Sequence, residues 1–263
     1  MLIYRKKSLI RRLLYSAFIL LLPLFGSAAS RPVVTLSDTN GVSATGQIML
    51  YSPRRDLVKL RLDDGSRSFA VSALKPESLK TLERWRADEN FESRSSLDIS
   101  FRAVHSTSSS NVTGTVTDRR TRKETEETIG YEEKHFCKYK IRVSNDSDTP
   151  FETLIADYRI FFTQRLTEEY TGRYQLAGTE TLPKLDARDF WAFSTAKFQC
   201  GISYREAPRI RWTGMPQASP PNIQGVLLRI RKKDFNGEWI EREIEHGEVP
   251  RNRDRSDYQK VYK

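Results

Sequence analysis

The chain has 263 residues, 30% of them charged and 11% aromatic, which indicates a folded protein rather than a disordered one. Its 44 Lys and Arg outnumber 34 Asp and Glu, but five of these cations and none of the acids lie in residues 1–29. The rest of the chain carries 39 cations against 34 acids, a net charge of +5. A surplus of this size is ordinary surface charge and removes the main argument for a nucleic-acid partner.

Residues 1–29 have the order of a secretory signal peptide. The five cations precede an apolar run from Leu13 to Phe25, and small residues follow at 26–29. The run is shorter than the about 20 residues that span a bilayer, and Pro23 interrupts it. We therefore predict a periplasmic or secreted protein that has no membrane span once the signal is cleaved. An uncleaved N-terminal anchor is the alternative.

The segment 31–86 reads as short strands followed by one helix. Asp64-Gly65 predicts a hairpin turn, because glycine accepts the positive φ that other residues resist. Pro76 suits a first helical turn, and apolar residues at three-residue intervals extend that helix to Arg86. A barrel is the fold that so few antiparallel strands would form. The strands are predicted at 33–36, 46–51, 57–62 and 68–71.

Five short phrases in this segment resemble the Sla-one homology domain, a small barrel similar to Src-homology-3 domains. They are Asp38-x-x-Gly41, Val58-x-Leu60, Asp64-Gly65, Phe69-x-Val71 and Leu74-x-Pro76-Glu77. Three positions depart from the family pattern: Leu36 replaces an aromatic residue, Ser72 a proline and Lys75 a serine. The resemblance covers about a fifth of the chain. It implies an adaptor, because eukaryotic members bind short peptide motifs and belong to a cytoskeletal-protein-binding family.

Residues 87–96 are polar and aperiodic, and we interpret them as a linker to a second module at 97–250. That module alternates apolar and polar residues, as half-buried strands do. Seven or more such strands, with turns at intervals of about ten residues, predict an antiparallel sandwich. The tail 251–263 is basic and is expected to be a solvated terminus. The predicted strands lie at 97–101, 112–117, 128–131, 136–144, 154–163, 190–193, 196–204, 226–232 and 238–244.

Two of these strands have the clearest alternation. One predicted face consists of Cys137, Tyr139, Ile141 and Val143, and another of Leu154, Ala156, Tyr158, Ile160 and Phe162. Residues 118–127 are charged and are predicted to form an exposed hairpin tip. Ile141-x-Val143-x-Asn145-x-Ser147 and Leu182-Pro183-x-Leu185 resemble phrases of bacterial immunoglobulin-like extracellular domains. The fold class is therefore mostly β, a small Src-homology-3-like barrel followed by an immunoglobulin-like sandwich.

Cys137 and Cys200 are the only cysteines of the chain. In an oxidising compartment such a pair often forms a disulfide, and an inter-sheet bridge of the immunoglobulin type fits the spacing. Two buried thiols that pack as small hydrophobic groups are the alternative. No Cys-x-x-Cys motif supports a redox role.

No convergent catalytic, cofactor or metal-binding set of residues is found in the sequence. His105, His135 and His246 lack metal-like spacing, and the charged run 118–127 is better explained as a neutralised surface than as a calcium site. Trp191 and Trp212 are the candidate recognition residues. We therefore predict a non-enzymatic adaptor or scaffolding protein of the bacterial cell envelope whose protein partner is unknown. A carbohydrate-binding accessory module that stacks envelope glycan on exposed tryptophan is the alternative.

Overall fold

The computed structural model describes residues 32–165, 171–208, 210–211, 214–216, 218, 220–251 and 259–261. The chain divides into two compact units, and the boundary lies between Leu79 and Lys80. Most of the described residues are in antiparallel strands, so the predicted mostly-β class is confirmed. The predicted signal peptide lies outside the described residues. Within them, no helix has the length and apolar character that crossing a membrane requires.

The first unit contains a four-stranded antiparallel meander, in which each strand pairs with the next along the chain. Every second residue faces inward, and the buried side chains include Leu36, Ile48, Val58 and Leu60. Gly65 follows the third turn with φ of 147°, a conformation that favours glycine. The strands are β1 (Val33–Ser37), β2 (Ser43–Ser52), β3 (Leu57–Leu62) and β4 (Gly65–Phe69).

The sequence predicts a small barrel here, and in the structure the four strands do not close into a ring, since β1 and β4 do not pair. After β4, a short 3-10 turn returns the chain to β1, where Leu74 forms an isolated bridge with Asp38. Ser72, which replaces the proline of the family pattern, donates from both its N–H and its hydroxyl to Asp56, each at 2.7 Å. These hydrogen bonds lower the pKa of Asp56. A proline at residue 72 would supply neither donor.

The helix α1 (Pro76–Glu92) begins where the sequence predicts but continues six residues beyond Arg86. The interpretation of residues 87–96 as a linker is therefore wrong for their first half. Phe91 is fully buried in the core of the second unit, and its ring meets that of Phe151 edge to face at 6.0 Å. The polar composition of this stretch concealed its helical end, because only Ala87 and Phe91 of its residues face the core.

The second unit is a sandwich of two sheets around one core. In the first sheet, β9 and β10 both lie alongside β6, and β5 forms the opposite edge. The second sheet has the order β12-β11-β7-β8-β13, with only β13 parallel to its neighbour. The bounds are β5 (Leu97–Thr117), β6 (Glu124–Asn145), β7 (Leu154–Arg165), β8 (Thr171–Leu182), β9 (Phe190–Ser194), β10 (Phe198–Glu206), β11 (Asn222–Lys233), β12 (Trp239–Gly247) and β13 (Gln259–Val261).

The predicted alternation of β6 and β7 is confirmed, because all nine of their predicted inward residues belong to the shared core. Tyr158 of β7 also ties the two sheets together: its hydroxyl accepts a hydrogen bond from the N–H of Ala196 at 3.2 Å. The tyrosine ring crosses Gly178, where an added Cβ would lie 2.3 Å from the hydroxyl oxygen. Glycine is therefore required at this point of β8.

Several strands differ from the prediction. β5 and β6 are continuous through stretches that the sequence divides into short strands, and the tip between them is only residues 118–123. β8 was not predicted, and residues 259–261 of the predicted solvated tail form β13. Exposed pairs need no apolar side chains to stay in register, which explains why the charged stretch Glu124–Glu127 was not recognised as strand.

Candidate functional site

The longest strands of the second unit extend past the rest of the sandwich. β5 has 21 residues, which span about 70 Å when extended. β10 stops pairing with β6 at Gly130, and β5 continues to pair with β6 as far as Glu124. We call residues 112–130 the ribbon. Within the described part of the chain, no third strand pairs with the ribbon beyond Gly130.

Along the whole length of β5, one edge has no strand partner among the described residues. The direction of its free groups follows from β6, where the carbonyls of Tyr139 and His135 accept from Thr195 N–H at 2.9 Å and from the Cys200 thiol at 3.5 Å. Both carbonyls therefore point away from β5. In an antiparallel pair, the residue of β5 that faces such a residue of β6 also directs its main-chain N–H and C=O away from the partner strand. The odd-numbered residues of β5 accordingly direct their N–H and C=O outward, and their partners in β6 include Tyr139 and His135.

This open edge lacks the features that usually protect an edge strand. From Ala103 to Thr117 the strand has no Lys, Arg, Asp, Glu or Pro. Near its end, threonine occupies every second residue, with valine or glycine between. The register with β6 is regular except for one bulge, and the extra residue, Ile129, lies in β6. Natural proteins usually interrupt edges with charge, proline or a bulge. We call the outward main-chain groups of residues 103–117 the open edge.

The turn at the end of the ribbon has a defined hydrogen-bonded structure. Asp118 Oδ1 accepts from the N–H of Arg120 at 2.8 Å and of Thr121 at 3.4 Å. These hydrogen bonds, that of the Arg120 N–H first, lower the pKa of Asp118. Arg122 takes a left-handed conformation with φ of 54°. The turn presents four exposed cations, none of which forms an ion pair with a described residue: Arg119, Arg120, Arg122 and Lys123.

The two cysteines are free thiols on neighbouring strands of one sheet. Phe198 pairs with Cys137, so Cys200 lies two residues along β10, next to a bulge. A bond between them would therefore be a cross-strand link and not the inter-sheet bridge that the sequence analysis considered. Both side chains are buried, and burial, together with the nearby Cys200, raises the pKa of Cys137 to about 11. The disulfide stays an untested prediction, and thiol labelling after unfolding without reductant distinguishes it from the free thiols of this structure.

The predicted aromatic surface is divided between two faces of β9. Trp191 is 40% exposed and pairs with Val143, whereas Phe190 lies on the opposite face beneath Arg142, whose guanidinium is 3.8 Å from the ring centre. Phe193, on the same face as Trp191, packs against the core. Trp191 is therefore not part of a continuous aromatic platform on this strand. Trp212 lies outside the described residues.

A cleft of about 800 Å³ lies between α1, the loop before β7 and the turn between β11 and β12. Its wall includes Trp239, 49% exposed, with Arg231 and Lys233 over its ring at 5.3 and 5.8 Å from the centre. In its floor, the buried ammonium of Lys232 pairs with Asp88 of α1. No pattern in the sequence indicates this cleft.

Two of the three histidines, His135 and His246, have structural contacts. His135 lies within hydrogen-bond distance of the Ser203 hydroxyl, with 2.8 Å between Nε2 and Oγ. His246 stacks on Phe101 with ring centres 4.9 Å apart, and so joins β12 to β5. In the described part of the chain, no three His, Cys, Asp or Glu side chains are grouped closely enough to hold a metal ion.

Neither protein-family models nor curated proteins show a match to this chain. The resemblances to the Sla-one homology domain and to immunoglobulin-like domains therefore stay predictions.

The open edge was missed by the sequence analysis, although one signal pointed to it. The uncharged run between Arg102 and Asp118 is unusual in a chain in which 30% of residues are charged. Its serine-rich first half is not periodic, so the pattern did not predict a strand there. The edge is recognisable only when the pairing of residues 97–117 with β6 is known.

Proposed function

We propose that the mature chain is an exported, non-enzymatic binding or scaffolding protein of the bacterial cell envelope that engages protein partners through the open edge. The observation that carries the proposal is the edge of β5, which pairs with no described strand other than β6 and is free of charge and proline from Ala103 to Thr117. An extended segment of another protein can add to such an edge as a further strand, with main-chain hydrogen bonds giving affinity.

The ribbon also supports this function. A two-stranded hairpin without a third strand or an apolar face is only marginally stable in water. Between Thr113 and Glu127, no side chain is fully buried, and only Gly114 and Val116 are half-buried. A partner strand would complete the ladder and add the packing that this part of the molecule lacks.

The test is photo-crosslinking in intact cells of the secreting host. A photoreactive amino acid at Asn111 lies on the open edge, and the same group at Thr181, exposed on β8, is the matched control. We expect crosslinks to envelope proteins from residue 111 that are absent from residue 181.

A proline variant shows whether these crosslinks depend on the edge. Ser109→Pro removes an outward N–H and leaves the ladder with β6 intact, whereas Ser109→Ala keeps that N–H. The crosslinks should disappear with Ser109→Pro and persist with Ser109→Ala. Crosslinks that survive the proline, or that form equally from residue 181, would contradict binding through the edge.

The cleft beside Trp239 favours a second function, carbohydrate binding. A half-exposed indole next to carboxylates such as Glu152 and Asp234 offers both a stacking face and hydrogen-bond acceptors. Binding on a glycan array should then be lost in Trp239→Ala and retained in Trp191→Ala. Absence of any glycan signal from the mature chain would eliminate this function.

A further inference from the structure

We infer that the partner of the open edge is a second copy of this chain, joined in a two-fold symmetric pair through antiparallel β5 strands. The inference rests on the proposed function, since it identifies the occupant of the same edge. In such a pair, one continuous sheet would run through both molecules. Its central strands would be β6 and β5 of one copy followed by β5 and β6 of the other. Serine, threonine and valine side chains would then be opposite one another.

The hydrogen-bond pattern limits the possible registers. Odd-numbered residues of β5 point their N–H and C=O outward, so an odd residue of one copy must face an odd residue of the other. A two-fold axis beside Ser109 satisfies this condition and pairs residues 101–117 of one copy with 117–101 of the other. Ser109 then faces its own equivalent.

The charges at the two ends of β5 are complementary in this register. In this register Asp98 of each copy lies beside the turn of the other copy, which presents the four exposed cations Arg119, Arg120, Arg122 and Lys123, while Arg102 faces the uncharged Val116 and no like charges are opposite. Both Asp98 and Arg120 are exposed and have no ion-pair partner among the described residues. A shift of the axis by one residue toward Ser108 would put Asp98 opposite Asp118, which is unfavourable.

The other edge of the ribbon does not fit a second copy. Beyond Ile129, whose carbonyl accepts from the N–H of Ala207, the edge of β6 also has no described strand partner, but it carries Glu124, Glu126 and Glu127. Any two-fold pairing of this segment with itself brings acids of the two copies close together. The bulge at Ile129 also interrupts it. The open edge of β5, uncharged from Ala103 to Thr117, is therefore the edge that suits self-association.

Sedimentation of the purified mature chain over a broad concentration range tests the inference. We expect a reversible dimer in the wild type and in Ser109→Ala, and a monomer in Ser109→Pro. Unchanged circular dichroism of Ser109→Pro would show that it still folds. A dimer that persists in a folded Ser109→Pro would overturn the inference.

Cysteine and charge variants test the register itself. Ser109→Cys should form an intermolecular disulfide under mild oxidation, and Ser106→Cys, which would face Val112, should not. Asp98→Arg should weaken the dimer several-fold because residue 98 lies beside the cationic turn of the other copy, and Asp98→Arg combined with Arg120→Asp should restore it. Equal crosslinking of the two cysteine variants, or no rescue by the charge exchange, would contradict this pairing.

The outcomes separate the inference from the proposed function. A wild-type chain that stays monomeric at every concentration, while its edge-dependent crosslinks in cells lead to a different protein, overturns the second-copy partner and supports the proposed function. A monomer without any edge-dependent crosslink overturns both.

Discussion

Asn145 shows how one buried amide holds together the loops at the base of the sandwich. Its Nδ2 donates to the carbonyls of Thr149 at 2.8 Å, Asp186 at 3.1 Å and Leu185 at 3.3 Å. Its Oδ1 accepts from both the N–H and the hydroxyl of Ser147. The two phrases that resemble immunoglobulin-like domains therefore meet at this side chain.

Replacing this amide should destabilise the second unit. Asn145→Ala leaves several buried polar groups without partners, and we expect the free energy of unfolding to fall by about 3 kcal/mol. Urea denaturation followed by near-ultraviolet circular dichroism measures the change. Asn111→Ala, on an exposed position of β5, should have almost no effect. Equal losses in the two variants would contradict the role of the buried network.

The thiols give a second prediction at the scale of single residues. Because the pKa of Cys137 is about 11 rather than 9.0, its thiolate at pH 8 is about a hundredfold scarcer than that of an unperturbed thiol. We expect very slow reaction with a thiol reagent in the native protein and two reactive thiols after unfolding without reductant. Rapid native labelling, or no labelling after unfolding, would contradict free buried thiols.

Burial of the neutral thiol also predicts a dependence of stability on pH. The folded protein holds the Cys137 proton more tightly than the unfolded chain does. Its contribution to stability is therefore fully present below about pH 9 and is lost as the pH rises through about 11. Cys137→Ala should remove this part of the alkaline loss.

Among the elements, the C-terminal half of α1 is held in place by cations of the second sheet of the sandwich. Three acids, Asp88, Glu89 and Glu92, lie near the end of the helix, where negative charge is unfavourable. Burial and these neighbouring carboxylates raise the pKa of Glu92. Lys232 pairs with Asp88, and Arg242 donates to the carbonyls of Phe91 and Ser93 at 3.2 and 3.0 Å.

The ion pair between Asp88 and Lys232 should therefore be essential to the stability of the C-terminal end of α1. Asp88→Ala leaves the ammonium of Lys232, 5% exposed, without its partner, and we expect a loss of about 3–5 kcal/mol in unfolding free energy. Glu89→Ala, on the exposed face, is the matched control and should change stability little. Asp88→Ala with Lys232→Met should lose less than Asp88→Ala alone, since no buried charge is left. A larger loss in the double variant would contradict this account.

The sequence best predicts the elements that have one apolar face buried in the core. The alternation of β6 and β7 is recognisable because one face of each lies in the core, and the predicted strands at 226–232 and 238–244 correspond to β11 and β12. The sequence predicts only part of the ribbon. Main-chain hydrogen bonds hold its two strands together, and these bonds require no periodic pattern of apolar side chains. The end of α1 was missed because few of its residues are apolar.

At the scale of the whole molecule, the candidate site depends on pairing over long sequence separations. The open edge exists because β5 pairs with β6 along its entire length and with no other described strand. No motif encodes this arrangement. The sequence pattern predicts a mostly β protein, but locating the open edge requires the register of β5 and β6.

Amide hydrogen exchange along β5, followed residue by residue by NMR in dilute mature chain, tests this account most directly. The N–H groups of Thr107, Ser109 and Asn111 point outward and should exchange at least about tenfold faster than those of Ser108 and Ser110, which bind β6. This alternation is the predicted result. Equal protection of odd and even residues would contradict it, because the edge would then be covered. Equally fast exchange of both sets would also contradict it, because β5 would then not be paired with β6.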